Sequence, residues 1–157
     1  MEMETWNDYK QIFVNISITS MLDEIFSISR VQDEVIRLNQ EQLSIGIDSR
    51  DKKIQTLKGT IFGQAYSPYT VTIKKLKNQP YNIVTLKDTG DFYDSFKVRK
   101  VQAGWEVIAN YQKEDGDIND NLPNDIDELG LTPESLAELV YEIILPRLTK
   151  MINAKLN

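Results

Sequence analysis

The spacing of hydrophobic positions changes several times along these 157 residues. From Trp6 to Phe26 the apolar positions Ile12, Phe13, Ile16, Ile18, Leu22, Ile25 and Phe26 mix helical with alternating spacing, and their β-branched members leave the element type open. Ser20 with Asp23, and Ser29 with Gln32, are candidate helix starts in which a serine oxygen accepts a backbone N–H. From Arg30 to Gln40 the pattern is cleaner. Val31, Val35 and Leu38 stand at i, i+4 and i+7, with Arg30, Asp33, Glu34 and Arg37 on other faces, which predicts a helix packed on a sheet, with a subunit contact as the alternative.

Between Leu43 and Gly63 the period is lost. Ile45 to Ile54 suggests two short extended pieces around a polar turn, and Gly59 and Gly63 suggest mobility around Ile61 and Phe62. Residues 43–66 are therefore expected to project as a long loop. Leu57, Ile61 and Phe62 would be stranded apolar side chains there, a pattern that suits burial by a neighbour.

Ser67-Pro68 predicts a helix start that runs to about Lys77 and stops before Pro80. Tyr66, Tyr69, Lys74, Lys75 and Lys77 would give that helix a Tyr/Lys-rich surface. A solvated face is its simplest reading, followed by a contact with an acidic neighbouring subunit, with nucleic acid last. Ser95 to Gln102 and Trp105 to Tyr111 alternate as paired strands reversing at Ala103-Gly104, with Phe96, Val98, Trp105, Val107 and Ala109 on the buried face.

Thr132-Pro133-Glu134 starts the strongest predicted helix, with Leu136, Leu139, Val140, Ile143 and Ile144 as its stripe. Pro146 lacks an N–H and its ring clashes one turn back, so a kink or break is expected there. Beyond it Leu148, Met151 and Ile152 resume an apolar face on a basic tail with Arg147, Lys150 and Lys155, which is expected to dock on a neighbour. The pattern predicts one α+β domain over 1–157. It has a small twisted antiparallel sheet, an N-terminal helix, a long C-terminal helix, an arm at 1–28, a projecting loop at 43–66 and a tail at 146–157.

Composition narrows the chemistry. The chain has no cysteine and no histidine, which excludes disulfides, thiolate metal sites and every histidine-containing triad. Catalysis is not expected, although Glu24, Asp33, Asp88, Asp91 and Asp94 could supply a carboxylate pair in principle. A net charge of −6 argues against general binding of nucleic acid. No run approaches a membrane span, and the opening residues have neither region of a signal peptide, so a soluble intracellular protein is expected.

The acidic stretch from Glu114 to Glu128 invites a calcium reading, with Asp117, Asn119, Asn121 and Glu128 at EF-hand positions. Leu122 occupies the position that needs glycine, and Pro123 follows it. A solvated or subunit-facing acidic loop carrying Asp117 and Asp120 is preferred, and no metal or cofactor is expected.

The most distinctive stretch is Val84 to Val98: a β-prone run, the Asp88-Thr89-Gly90 turn, a helical piece with Phe92 and Phe96 on one face, then a strand. Leu86, Asp88, Thr89, Gly90, Phe92 and Ser95 resemble the L-x-x-T-G-x-L-x-x-S segment of phage tail-completion and virion-morphogenesis proteins. Lys74, Lys75 and Lys77 before Gln79-Pro80 resemble the basic segment that precedes it. The wording is most similar to versions in short-tailed, crAss-like phages, and the resemblance spans roughly Leu38 to Val107. Ile61 and Phe62 replace the small or polar residues typical of the upstream loop, and the acidic stretch before the last helix is unusual.

The resemblance implies a structural protein of the virion neck or collar, assembled in the host cytoplasm. It would be a ring of identical subunits between portal and tail that contacts portal and neighbouring neck or tail proteins, with DNA only as passing cargo. Twelvefold rings are common at portals, and sixfold rings belong to the alternative, a tail terminator. Oppositely charged faces on one subunit would suit head-to-tail contacts, each basic face meeting an acidic one. Assembly-interface candidates are Leu57, Ile61, Phe62, Tyr66, Tyr69, Lys74, Lys75, Lys77, Asp117, Asp120, Arg147 and Met151. A monomeric acidic interaction module is the alternative from a different class.

Overall fold

The structure, a computed structural model, describes residues 17–113 and 116–156. The apolar positions at Ile12, Phe13 and Ile16 lie outside them. Ser17 caps the first helix, α1 (Ile18–Phe26), by accepting the Ser20 N–H at 3.2 Å, three residues ahead of the serine that the sequence suggested. Helix α2 (Ser29–Ser44) extends four residues beyond the predicted Gln40. Its buried face continues through Asn39, Gln42 and Leu43, so two polar residues carry the stripe onward.

Short helices α3 (Leu57–Ile61), α4 (Pro68–Leu76) and α5 (Asp91–Asp94) follow. Strands β1 (Lys97–Val101) and β2 (Gly104–Ile108) form an antiparallel hairpin in the expected place. Val98 faces Val107, Lys100 faces Trp105, and Arg99 pairs with Glu106 on the outer side. The acidic stretch is not wholly a loop. Strands β3 (Gln112–Lys113) and β4 (Gly116–Asp117) pair, a 3-10 turn spans Ile118–Asn121, and Ile118 and Leu122 are buried.

The last helical run is α6 (Pro133–Glu138), a wider π turn (Leu139–Ile144) and α7 (Leu145–Leu156). The expected break at Pro146 does not occur. The wide turn immediately before it absorbs the missing N–H, and bonding five residues back brings Leu139 and Ile144 to the same buried side. Leu136 drops out of the predicted stripe and is half exposed.

Two apolar clusters share α2. Its Val31, Val35 and Leu38 join Ile25, Leu139 and Ile144 in one, while Leu43 joins Ile54, Tyr66, Val84 and the Phe92–Phe96 pair in the other. Leu148 and Met151 pack on the cluster around Ile25, so the C-terminal tail belongs to the chain's own packing, not to a free docking segment. No helix among the described residues is long and apolar enough to cross a membrane.

A strained turn, a cationic cleft and an apolar knob

The Thr-Gly segment departs from its predicted form in one respect. Val84 to Lys87 is not a strand; Leu86 adopts a left-handed backbone with φ of 53°. For a γ-branched residue with a Cβ this costs on the order of 1–3 kcal/mol and persists only where the surroundings over-determine it. They do so here. The Tyr93 hydroxyl donates to the Thr85 carbonyl at 2.6 Å, and the Tyr66 hydroxyl accepts the Thr85 N–H at 3.2 Å. Burial raises both phenols above their ordinary range and keeps them protonated. Lys74 Nζ donates to the Lys87 carbonyl at 3.2 Å, and Gln79 Nε2 to the Asp88 carbonyl at 2.9 Å.

Gly90 then turns the chain with φ of 110°, where a side chain would be strained. The Thr89 hydroxyl donates to the Asp91 carboxylate at 2.6 Å. Asp91 and Asp94 sit in the single turn of α5, while Phe92 enters the core edge-on to Phe96 with centroids 5.0 Å apart. Ser95 Oγ donates to the Phe92 carbonyl and accepts the Asn110 N–H, which ties this turn to the end of the hairpin. The motif residues are thus a scaffold that fixes one side of a cleft.

That cleft has a volume of about 390 Å³ and runs along the face of α4 that carries Ser67, Thr70 and Lys74. Lys58, Lys77 and Lys87 line it with exposed side chains, and Leu86 and Leu122 supply apolar surface. Asp88 pairs with Lys77 at 2.8 Å. Asp117 also lines it, but one of its oxygens caps the Asn119 N–H at 2.8 Å and the other takes the Gln112 amide.

The structure corrects several expected surface residues. Tyr66 and Lys74 are buried: the ammonium lies 4.9 Å from the centre of the Tyr66 ring and braces the Leu86 turn. Lys75 leans over Tyr81 at 4.7 Å and does not line the cleft. Tyr69 is the open aromatic, 77% exposed. Basic and acidic segments do not occupy separate faces, since Lys58, Lys77 and Lys87 share the cleft with Asp88 and Asp117. Asp120 is exposed beside it. Arg147 donates to its own helix at the Ile143 carbonyl, and it joins half-buried Met151 in a shallow groove between α1 and α7.

The 43–66 stretch divides in two. Ile47 bridges to Lys53, Ile54 is buried, and Asp48 is buried with Oδ1 accepting the Arg50 and Lys52 N–H groups. Only the part around α3 stands out. Gly59 is there for tight packing and not for mobility, because a Cβ on it would run into the Ala65 carbonyl. Thr56 Oγ1 closes the same turn, accepting from Gly59 N at 2.9 Å and donating to Ala65 O at 2.8 Å. On this firm base Leu57, Ile61 and Phe62 point outward at 46%, 78% and 54% exposure, an apolar knob.

The calcium reading does not match the geometry. Asp117 is spent on capping, whereas Glu128 is buried; burial and, after it, the neighbouring Glu128 carboxylate raise the Tyr111 phenol above its ordinary range. Among the described residues no three acidic side chains converge on a metal-sized site. Sequence reasoning missed the pair Asn39 and Gln42, whose amides anchor residues 128–132. Their spacing on the apolar face of α2 was the available signal. No protein-family model, curated protein or solved structure matches the chain.

Proposed function

We propose that this chain is a structural subunit of a phage neck or collar. Copies join side by side into a ring between portal and tail that surrounds the path of the DNA, and the chain performs no catalysis. The observation that carries this reading is the α3 knob. Large apolar side chains held outward by a capped, tightly packed turn lose little entropy on docking, and they leave apolar surface in water when alone. The resemblance around Leu86, Thr89, Gly90, Phe92 and Ser95 supplies the kind of assembly.

Contact between copies rests on apolar docking of the knob and not on a basic face meeting an acidic face. Sedimentation and negative-stain imaging of the purified chain test the proposal. A closed ring is the expected result: twelvefold symmetry fits a portal-linked position and sixfold a tail terminator. A monodisperse monomer at high concentration that binds no portal or tail protein would replace this reading with a small acidic interaction module.

A further inference from the structure

We infer that the last helical run, Pro133 to Leu156, pairs antiparallel with the same run of a second copy. This contact lies outside the knob and stands or falls without the ring reading. The run is roughly 36 Å long and has two apolar sides. One packs inward, through Leu139, Ile144, Leu148 and Met151 on the Ile25 cluster. The other carries Tyr141 and Leu145 four residues apart, 68% and 41% exposed, with half-buried Ile152 two turns further on. A helix that is apolar on both sides is most stable where both are covered.

Charge selects the occupant. Every acid on the run comes before Ile143 (Glu134, Glu138 and Glu142), and every base follows Pro146 (Arg147, Lys150 and Lys155). The helix dipole accounts for Glu134 and Lys155, but it fades within the first and last turn and does not reach Glu142, Arg147 or Lys150. Within one copy the arrangement is unfavourable. Glu134 and Glu138 stand at i, i+4 and Arg147 and Lys150 at i, i+3, like charge beside like. Among the described residues only Glu138 of these has an ion-pair partner, Arg37, which Glu34 and Glu41 also hold. Glu24 of α1 stands beside Arg147 and Lys150 in the groove between the helices. With these neighbours counted, the first half stays acidic and the second basic. A parallel partner would set acid on acid and base on base. An antiparallel copy, related by a twofold axis near Pro146, sets each acidic half on the other's basic half. It also brings Glu142 toward Lys150 and covers Tyr141 and Leu145 of both copies. An unrelated partner would need this pattern in reverse; a second copy already has it.

Charge reversal in separate full-length chains tests this, in an Ile61→Ser, Phe62→Ser background that takes the knob out of the measurement. Sedimentation of that background chain is expected to show a monomer–dimer equilibrium. One variant adds Glu134→Lys and Glu142→Lys; the other adds Lys150→Glu and Lys155→Glu. Each alone is expected to weaken pairing by about tenfold or more, because its run then carries mostly one sign. An equimolar mixture is expected to restore pairing as a heterodimer, since a mostly basic run then meets a mostly acidic one. Thermal melts and helical circular dichroism check that both variants fold, and Glu142→Gln and Lys150→Gln are the milder forms, expected to weaken pairing in the same direction. A background chain that stays monomeric, pairing that neither reversal weakens, or a loss that mixing does not restore would each overturn the inference. A ring formed by chains with the knob intact would survive all three, so the two readings fail separately.

Discussion

Asn39 grips Gly130 across 91 positions of sequence and Glu128 across 89: its Oδ1 accepts the Gly130 N–H at 3.0 Å while its Nδ2 donates to the Glu128 carbonyl at 3.0 Å. Gln42, one turn on, repeats the arrangement with the Gly130 carbonyl at 2.7 Å and the Thr132 N–H at 3.0 Å. Two side-chain amides thus stand in for a strand partner and lead the chain into α6. Asn39→Ala would leave a buried carbonyl and N–H without partners, and it is expected to cost about 1–3 kcal/mol. Gln42→Ala should cost a similar amount. The double variant should cost less than their sum, because both side chains hold one segment. Urea unfolding measures all three, and full additivity would mean that the two amides act separately.

Gly59→Ala separates two views of the glycine in α3. Helix propensity alone favours alanine by about 1 kcal/mol. Against this, the new methyl would meet the Ala65 carbonyl, backbone that cannot step aside as a side-chain tip would, at a cost of about 1–3 kcal/mol. A net loss of stability is expected, with weakened assembly because the knob shifts. A higher melting temperature would mean the turn is as mobile as the sequence suggested.

The secondary structure that was legible in the sequence belongs to segments whose local signals agree with their burial. Ser67-Pro68 and Thr132-Pro133 are caps followed by a proline that needs no N–H, and both start helices where expected. The hairpin at 97–108 follows from alternation alone. What was not legible depends on contacts between distant parts of the chain. Nothing local marks Leu86 for a left-handed backbone; the Tyr66 and Tyr93 hydroxyls impose it from 20 positions before and 7 after. Lys74 looked like a surface cation because lysine usually is one, yet the ring of Tyr66 and the Lys87 carbonyl enclose it. The knob itself was visible as three apolar residues without a period, although the tight packing beneath it was not.

Ile61→Ser with Phe62→Ser tests the knob directly. Both side chains are more than half exposed, so the monomer should keep its stability to within about 0.5 kcal/mol. Self-association should fall by about tenfold or more, read by sedimentation across a concentration series. Unchanged self-association would move the proposed contact between copies to another surface.

Acid should loosen the joint between α1 and the hairpin. The Asp23 carboxylate accepts Lys100 Nζ at 2.7 Å and Trp105 Nε1 at 3.0 Å, and these bonds hold its pKa below the usual carboxylate value. The Arg37 guanidinium does the same for Glu34. For a group whose folded pKa is depressed, the stabilisation is present above the unfolded value, about 4, and is lost as pH falls through the folded value. Stability should therefore hold steady from pH 8 to about 5 and decline below about 4. Asp23→Asn should lower the plateau and flatten part of the decline, followed by Trp105 fluorescence in a Trp6→Phe background. A variant with the unaltered pH profile would remove Asp23 from that role.

Removing residues 146–157 decides whether the tail serves the fold or the assembly. By sequence pattern alone the loss would spare the monomer and impair the ring. The packing argues the reverse, because Leu148 and Met151 cover the cluster formed by Ile25, Val31 and Leu139, and α7 lies against α1. Uncovering two half-buried apolar side chains and the surface beneath them forfeits about 2–4 kcal/mol, a large share of the roughly 5–15 kcal/mol that holds a domain of this size together. The π turn at Leu139–Ile144 would also lose the helix that continues from it. The truncated chain should unfold at markedly lower urea and show reduced helical circular dichroism at 37 °C. A truncated monomer with an unshifted midpoint that no longer assembles would return the tail to the neighbouring subunit.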